Sequence, residues 1–316
     1  RGILGFLVGA GKPDYPPFNQ RREAVGGGGR LRGYQPGSTR NSLEGRLNLP
    51  LRRPRRLPDS PRGMGQHESF YRNNEAYAEF LASWDPAFYG KYTDALRPSR
   101  SGGRALDVGC GVGQVVGALT RDGVEAYGVD VSEPNIARAR QFSERCQLYD
   151  GKRLPFPDAH FACVGALNVL EHVDAAEAFL AELVRVTEPG GKVVVSSPNF
   201  LRVIGLRDYH YRMRGLGNKW RNLQRLLAKR RQMREAPEQV RFERVAPVVK
   251  TPFEPDDDAI IMTNALEMAF QLERCGCVVE RALCTDRYVF RPLDWLLNLT
   301  PLRYGMLCAF VVARKR

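Results

Sequence analysis

The stretch Ala105-Leu-Asp-Val-Gly-Cys-Gly-Val-Gly113 constrains this chain more than any other. An apolar strand runs over 104–108. Gly109, Gly111 and Gly113 follow at alternating positions, ahead of a helical pattern over 114–121. Glycine lets the backbone turn sharply and lets a ligand approach main-chain atoms closely. The helix behind such a loop aims free N–H groups and the positive end of its dipole at that ligand. A dinucleotide fingerprint Gly-x-Gly-x-x-Gly fails in both registers, because its sixth position falls on Gln114 or Val116.

Strand and helix signals then alternate. Residues 125–129 read as a strand, and 133–145 as a helix opened by Ser132 as its cap. Short strand 147–149, strand 161–166, helix 175–186 and strand 192–197 follow, the last after Pro189-Gly190-Gly191. This alternation predicts parallel strands with crossover helices, a doubly wound α/β sheet. A helix is expected over 259–275, with Asp256-Asp257-Asp258 as its cap, Mg²⁺ binding being another use for three adjacent carboxylates. Strands 278–283 and 305–312 close the pattern with no evident helix between them, which predicts an antiparallel last pair. Ahead of the glycine loop, Phe70, Tyr77, Phe80, Leu81, Trp84, Phe88, Tyr92 and Leu96 form an aromatic stripe at helical spacing. It predicts N-terminal helices over 64–98, broken near Asp85-Pro86, that pack the core and roof a pocket.

The net charge of +13 is unevenly placed. Residues 1–63 hold 13 Lys/Arg against 4 Asp/Glu, residues 200–250 hold 14 against 4, and the remainder is acidic by 6. Residues 1–63, with Gly26-Gly27-Gly28-Gly29 and Arg52-Arg53-Pro54-Arg55-Arg56, show no sustained period. They read as a disordered extension or a start assigned too early, ahead of a folded domain over 64–316. No uncharged apolar run reaches the roughly 18 residues that suggest a transmembrane helix. The seven cysteines are scattered, complete no zinc site and suit reduced, buried thiols of a cytoplasmic protein.

For about 90 residues, from Ala105 to Lys192, the chain resembles the class I S-adenosylmethionine-dependent methyltransferases, in particular their type 11, ubiquinone-biosynthesis-like branch. The motifs are the glycine loop, Gly128-Val129-Asp130-Val131-Ser132, Asp150-Gly151 after the third strand, Leu167-Asn168-Val169-Leu170-Glu171-His172-Val173, and Glu188-Pro189-Gly190-Gly191-Lys192. The resemblance implies a Rossmann-like, mostly parallel seven-stranded sheet with an antiparallel last strand. It also implies a site for S-adenosylmethionine, released as S-adenosylhomocysteine. By that match Asp107, Gly109, Cys110 and Gly111 hold the methionine end. Asp130 and Val131 lie at the ribose, Asp150 and Gly151 at the adenine, and Asn168 near the methyl.

His172 is the candidate general base, its other role being to shape the pocket. His210 with Tyr209 or Tyr211 offers substrate contacts. The basic stretch 200–258 leaves the fifth strand on the substrate side and carries Arg202, Arg207, Arg212, Arg214, Lys219, Arg221 and Arg225. A lid of that composition suits an anionic acceptor, such as a glycan or lipid precursor, beside the general expectation of a small-molecule substrate. Two alternatives stand: a tRNA or rRNA methyltransferase that uses the basic stretch on nucleic acid, and a non-catalytic scaffold that binds S-adenosylmethionine. The location expected is cytoplasmic, with peripheral attachment to a membrane left open.

Overall fold

A computed structural model describes residues 72–205, 208, 210–247, 256–288 and 290–316. The expectations for residues 1–63, Phe70, Arg207 and Tyr209 lie outside the described residues.

Seven strands form one sheet in the order β3-β2-β1-β4-β5-β9-β8. They are β1 (Arg104–Val108), β2 (Glu125–Asp130), β3 (Cys146–Leu148), β4 (Phe161–Leu167), β5 (Thr187–Pro198), β8 (Cys277–Leu283) and β9 (Cys308–Lys315). The first five pair in parallel, whereas β9 is antiparallel to both β5 and β8. The expected α/β class and antiparallel last strand are therefore present.

Strands buried on both faces need continuous apolar sequence, and β4 supplies it, with Phe161 through Ala166 all buried. One face is covered by α5 (Ala176–Val186) and α7 (Ala265–Arg274), through Leu180, Leu183, Met268 and Leu272. The other is covered by α2 (Gly90–Leu96), α3 (Gln114–Arg121) and α4 (Glu133–Ala139), through Tyr92, Leu96, Val116, Leu119 and Ile136. Each large apolar side chain fully buried this way stabilises the fold by about 1.5–3 kcal/mol. Every crossover enters its helix from the carboxyl end of a strand, which gathers the loops after β1, β2, β3 and β4 along one sheet edge.

The aromatic stripe forms α1 (Glu75–Ala82), a 3₁₀ turn over Pro86–Tyr89, and α2. Asn74 caps α1 by accepting from Tyr77 N at 3.0 Å, and the break falls at Asp85-Pro86 as expected. The basic helix α6 (Leu216–Glu235) spans more than the helical reading of 220–234 that the sequence offers, and buries only Asn222 and Leu226.

Four local expectations are corrected. Helix α4 ends at Ala139 rather than Arg145. A Cβ on Gly113 would meet Ala139 Cα at 2.7 Å, so the helix end is packed hard against the glycine loop. The chain then turns to bring Cys146 beside Gly128. The helix expected over 259–275 begins only at Ala265, capped by Asn264, whose Oδ1 accepts from Glu267 N at 2.9 Å. Ahead of it, Ile261–Met262 (β7) pairs with Glu243–Arg244 (β6), so tertiary pairing overrides helical preference and the helix is capped by Asn264 rather than by Asp256–Asp258. A helix, α8 (Arg291–Leu299), separates the last two strands, where none was expected. Finally, β9 begins at Cys308 rather than Gly305, because a 3₁₀ turn occupies Pro301–Gly305.

Candidate functional site

The glycine loop leaves β1 with Gly109, Gly111 and Gly113 at φ +73°, +52° and +85°, the left-handed region that glycine enters without strain. At Gly109 packing adds a second constraint, since a Cβ there would sit 2.3 Å from Val169 Cγ2 in the loop after β4. The Gly109 and Cys110 amides both donate to Val129 O, at 2.8 and 3.0 Å, which pins the loop to β2. The Cys110 side chain turns away from the loop into the core, where a Cβ on Gly128 would meet its Sγ at 2.8 Å. Only the Cys110 backbone is available to a ligand.

Asp130 ends β2 with its side chain buried. Its Oδ2 accepts from Gly111 N at 2.9 Å, and its Oδ1 from Ser132 N at 2.9 Å and Asn135 Nδ2 at 3.3 Å. Burial pushes its pKa up, and these donors pull it back. Asp107, at the end of β1, is buried too and accepts from the Tyr92 hydroxyl at 2.7 Å. Burial raises its pKa to about 7, with the Tyr92 bond opposing and Asp130 adding. Neither carboxylate has a cationic side chain paired with it among the described residues. Two such anions beside a glycine loop suit a ligand that carries its own positive charge and hydroxyl donors. S-adenosylmethionine fits on both counts, having an ammonium, a sulfonium and two ribose hydroxyls.

Val131 is half-buried beside Asp130. Asp150 is exposed after β3, and its Oδ1 accepts from Lys152 N at 2.8 Å and Arg153 N at 3.0 Å, which holds its carboxyl below the usual range. Gly151 follows at φ +79°. Asn168, after β4, is held at φ +54°, with its N–H donating to Ser196 O at 2.9 Å. An asparagine tolerates that conformation better than most side chains, and non-glycine positive φ is common where backbone is fixed for a ligand.

His172 lies in the 3₁₀ turn Leu170–His172. Its Nδ1 is 3.6 Å from Asp258 Oδ2 and its Nε2 is 3.8 Å from Glu171 Oε1. Asp258 is pushed up to about 6 by burial, and Glu171 to about 8, by burial first and then by Asp256. Glu171 Oε2 lies 2.7 Å from Ser197 Oγ. Ligand atoms of Glu171, His172 and Asp256 come within 4.8 Å of one another, so the acidic run contributes to a side-chain cluster rather than to a helix cap.

Sequence reasoning did not single out Tyr77, Tyr92 or Glu171. Burial raises the Tyr77 phenol, with the negative potentials of Asp130, Glu171 and Asp256 adding. Helix α1 carries it. Leu81 Cδ1 would meet a Cβ on Gly111 at 3.2 Å, and Gln114 Nε2 donates to Leu81 O and Trp84 O. The aromatic stripe was the available signal for Tyr77 and Tyr92.

The basic stretch spends several of its cations on structure. Arg202 is buried and donates to Leu307 O, Arg214 Nε donates to Asp208 O at 3.0 Å, and Lys219 pairs with Asp208 at 2.6 Å. Arg225 reaches Glu243 at 3.5 Å. Arg212 bonds the Tyr211 hydroxyl at 2.8 Å. His210 is buried edge-on against Phe200, which makes it a packing residue. Trp220 is 62% exposed.

Comparison with known proteins agrees with this geometry. Residues 106–195 match the family model described as a methyltransferase domain, of type 11. The chain is 40% identical over 104 residues to the ubiquinone biosynthesis O-methyltransferase of Rhodopseudomonas palustris (strain BisB18), covering 31% of this chain and 41% of that protein. It is 32% identical over 142 residues to the 27-O-demethylrifamycin SV methyltransferase of Amycolatopsis mediterranei (strain S699), covering 40% and 52%. It is 30% identical over 162 residues to norajmaline N-methyltransferase of Rauvolfia serpentina, covering 44% and 54%. The chain spans about half the length of the curated relatives it matches. Fold and loop together define a class I S-adenosylmethionine-dependent methyltransferase domain. Within that class, residues 106–195 match the type 11 branch. Among the described residues no helix is long and apolar enough to cross a membrane.

Proposed function

We propose that this protein transfers the methyl group of S-adenosylmethionine to an oxygen or nitrogen of a small molecule or of an anionic glycan or lipid precursor. The observation that carries the reading is the pair of buried carboxylates, Asp107 and Asp130, set at the glycine loop without a cation. When bound, the cofactor supplies a sulfonium methyl open to in-line displacement.

The residues of this chain bind, orient and exclude water. Asp107, with the backbone of Gly109, Cys110 and Gly111, would take the methionine end. Asp130 and Val131 would take the ribose, Asp150 and Gly151 the adenine, and Asn168 the side toward the methyl. Helix α1 packs against this loop and would help to exclude water, which lets positioning supply most of the rate. His172 would accept the proton of a hydroxyl acceptor, with Asp258 near its Nδ1 favouring the imidazolium that forms. Residues 200–258 would cover the acceptor, with Arg212 and Arg221 among the cations that would meet an anionic group.

Calorimetric titration of the full chain with S-adenosylmethionine and with S-adenosylhomocysteine tests the reading. Saturable binding of both, lost in Asp130→Ala, is the expected result. Absence of binding by the folded wild-type chain would overturn it.

A further inference from the structure

Helix α8 turns a largely apolar face outward. Its polar side chains face the protein: Asp294 bonds Thr285 Oγ1 at 2.7 Å and pairs with Lys91 at 3.2 Å, and Asn298 Oδ1 accepts from Cys284 N at 2.8 Å. Leu293 and Leu297 are half-buried beside them, whereas the remaining apolar side chains face solvent. Trp295 is 65% exposed and Leu296 and Leu299 are each 55% exposed, and Phe290 and Leu302 extend the patch at either end. A surface helix of a soluble domain shows the opposite arrangement, because exposed apolar surface in water costs about 25 cal/mol per Å². Holding the half-buried Asp294 and Asn298 in a hydrogen-bonded network while leaving Trp295 and three leucines outside fixes an apolar face toward something other than water.

The chemistry around that face says what covers it. Arg281, Arg287 and Arg291 are all exposed beside it, and Arg281 and Arg291 form no ion pair among the described residues. A cleft of about 500 Å³ opens between α8 and α2, lined by Leu283, Leu299 and Phe310, by Arg281, Arg291 and Arg303, and by Asp94 and Asp294. Exposed apolar side chains beside the exposed Arg281 and Arg291 complement an amphiphile with an anionic head. Tryptophan and leucine beside arginine are also the residues that settle at the boundary between headgroups and acyl chains. The location fits as well. Strand β8 runs with β5, since both are antiparallel to β9, so the connection that carries α8 leaves the same sheet edge as the glycine loop.

We propose that α8 and the arginines beside it dock this protein on the surface of an anionic lipid bilayer, with Trp295, Leu296 and Leu299 inserted among the acyl chains. The proposal does not depend on methyl transfer and is read without it.

The test is cosedimentation of the full chain with phosphatidylcholine vesicles, with and without phosphatidylglycerol, at rising salt. Wild type should bind the vesicles that contain phosphatidylglycerol, weaken as salt screens the arginines, and shift its tryptophan emission to the blue. Trp295→Ser, Leu296→Ser and Leu299→Ser together should lower the partition coefficient by at least about tenfold. Arg281→Gln with Arg291→Gln should abolish the preference for anionic vesicles. A thermal melt like that of wild type certifies each variant as folded, which exposed positions permit. Undiminished vesicle binding by the folded triple-serine variant overturns the proposal, as does equal binding to neutral and anionic vesicles. A concentration-dependent dimer that the triple variant abolishes, with no vesicle binding by wild type, overturns it in favour of a second copy of this chain.

Discussion

The Tyr92 hydroxyl donates to Asp107 Oδ1 across 2.7 Å, with both side chains buried. The bond ties helix α2 to the end of β1, and it is the polar partner that Asp107 finds inside the protein. The carboxyl still sits at about 7 against an ordinary 3.8, because burial outweighs the hydroxyl.

A pH dependence follows, with a definite sign. The folded state binds a proton at Asp107 that the unfolded chain has released, so apo stability falls as pH rises from about 4 to about 7 and then levels off. Asp107→Asn keeps an acceptor for Tyr92 and removes the buried charge. We expect it to melt higher than wild type above pH 7, by on the order of 1 kcal/mol, and to lose S-adenosylmethionine affinity. Paired thermal melts and titrations at pH 5 and pH 8 decide the matter: a variant that stays less stable at both contradicts the assignment.

At Asp130 the structure adds a cost that a strand-end residue would not carry. Alanine there removes the acceptor of Gly111 N and Ser132 N as well as the proposed ribose ligand. Cofactor binding should weaken by about 2–4 kcal/mol, and the apo fold by about 1–3 kcal/mol. Calorimetry and chemical denaturation read the two losses separately. Unchanged affinity in the presence of lowered stability would leave Asp130 a structural residue alone.

The two first glycines should respond differently to alanine. At Gly109 the new methyl meets Val169 Cγ2 at 2.3 Å, so Gly109→Ala should destabilise the apo fold by about 1–3 kcal/mol. At Gly111 only the flexible end of Leu81 is near, at 3.2 Å. Gly111→Ala should melt closer to wild type while still impairing cofactor binding. Equal melting temperatures for the two variants would contradict this packing.

Asp258, raised to about 6, is neutral in acid and charged above that value. If it orients His172 as a base, turnover of a hydroxyl acceptor falls as pH drops through about 6, with little change in KM. Asp258→Asn should flatten that limb and lower kcat by about ten- to a hundredfold. A profile identical to wild type would remove Asp258 from the mechanism.

For the basic stretch, neutralising Arg207, Arg212 and Arg214 together should reduce turnover of an anionic acceptor while leaving S-adenosylmethionine affinity untouched. Of these, Arg214 also holds Asp208 O, so single variants at Arg212 separate recognition from loop structure. Wild-type turnover by the triple variant would leave α6 a solvated helix.

The sequence by itself determined the parallel half of the sheet and the cofactor side of the candidate site. Glycine at three alternating positions, apolar runs long enough for strands buried on both faces, and carboxylates at strand ends are local signals that no distant contact needs to complete. Tertiary structure decided the rest. The run 259–275 is helical in preference, yet its first residues pair with Glu243–Arg244 and are capped off at Asn264. Helix α1 reaches the glycine loop only through tertiary contacts such as Gln114 Nε2 with Leu81 O, and Glu171 finds its partner Ser197 only when β5 packs beside the turn after β4. Helix α8 escaped notice because it turns a largely apolar face outward: a periodicity tells which residues share a face, and only the packed neighbours Lys91 and Thr285 tell which face turns inward.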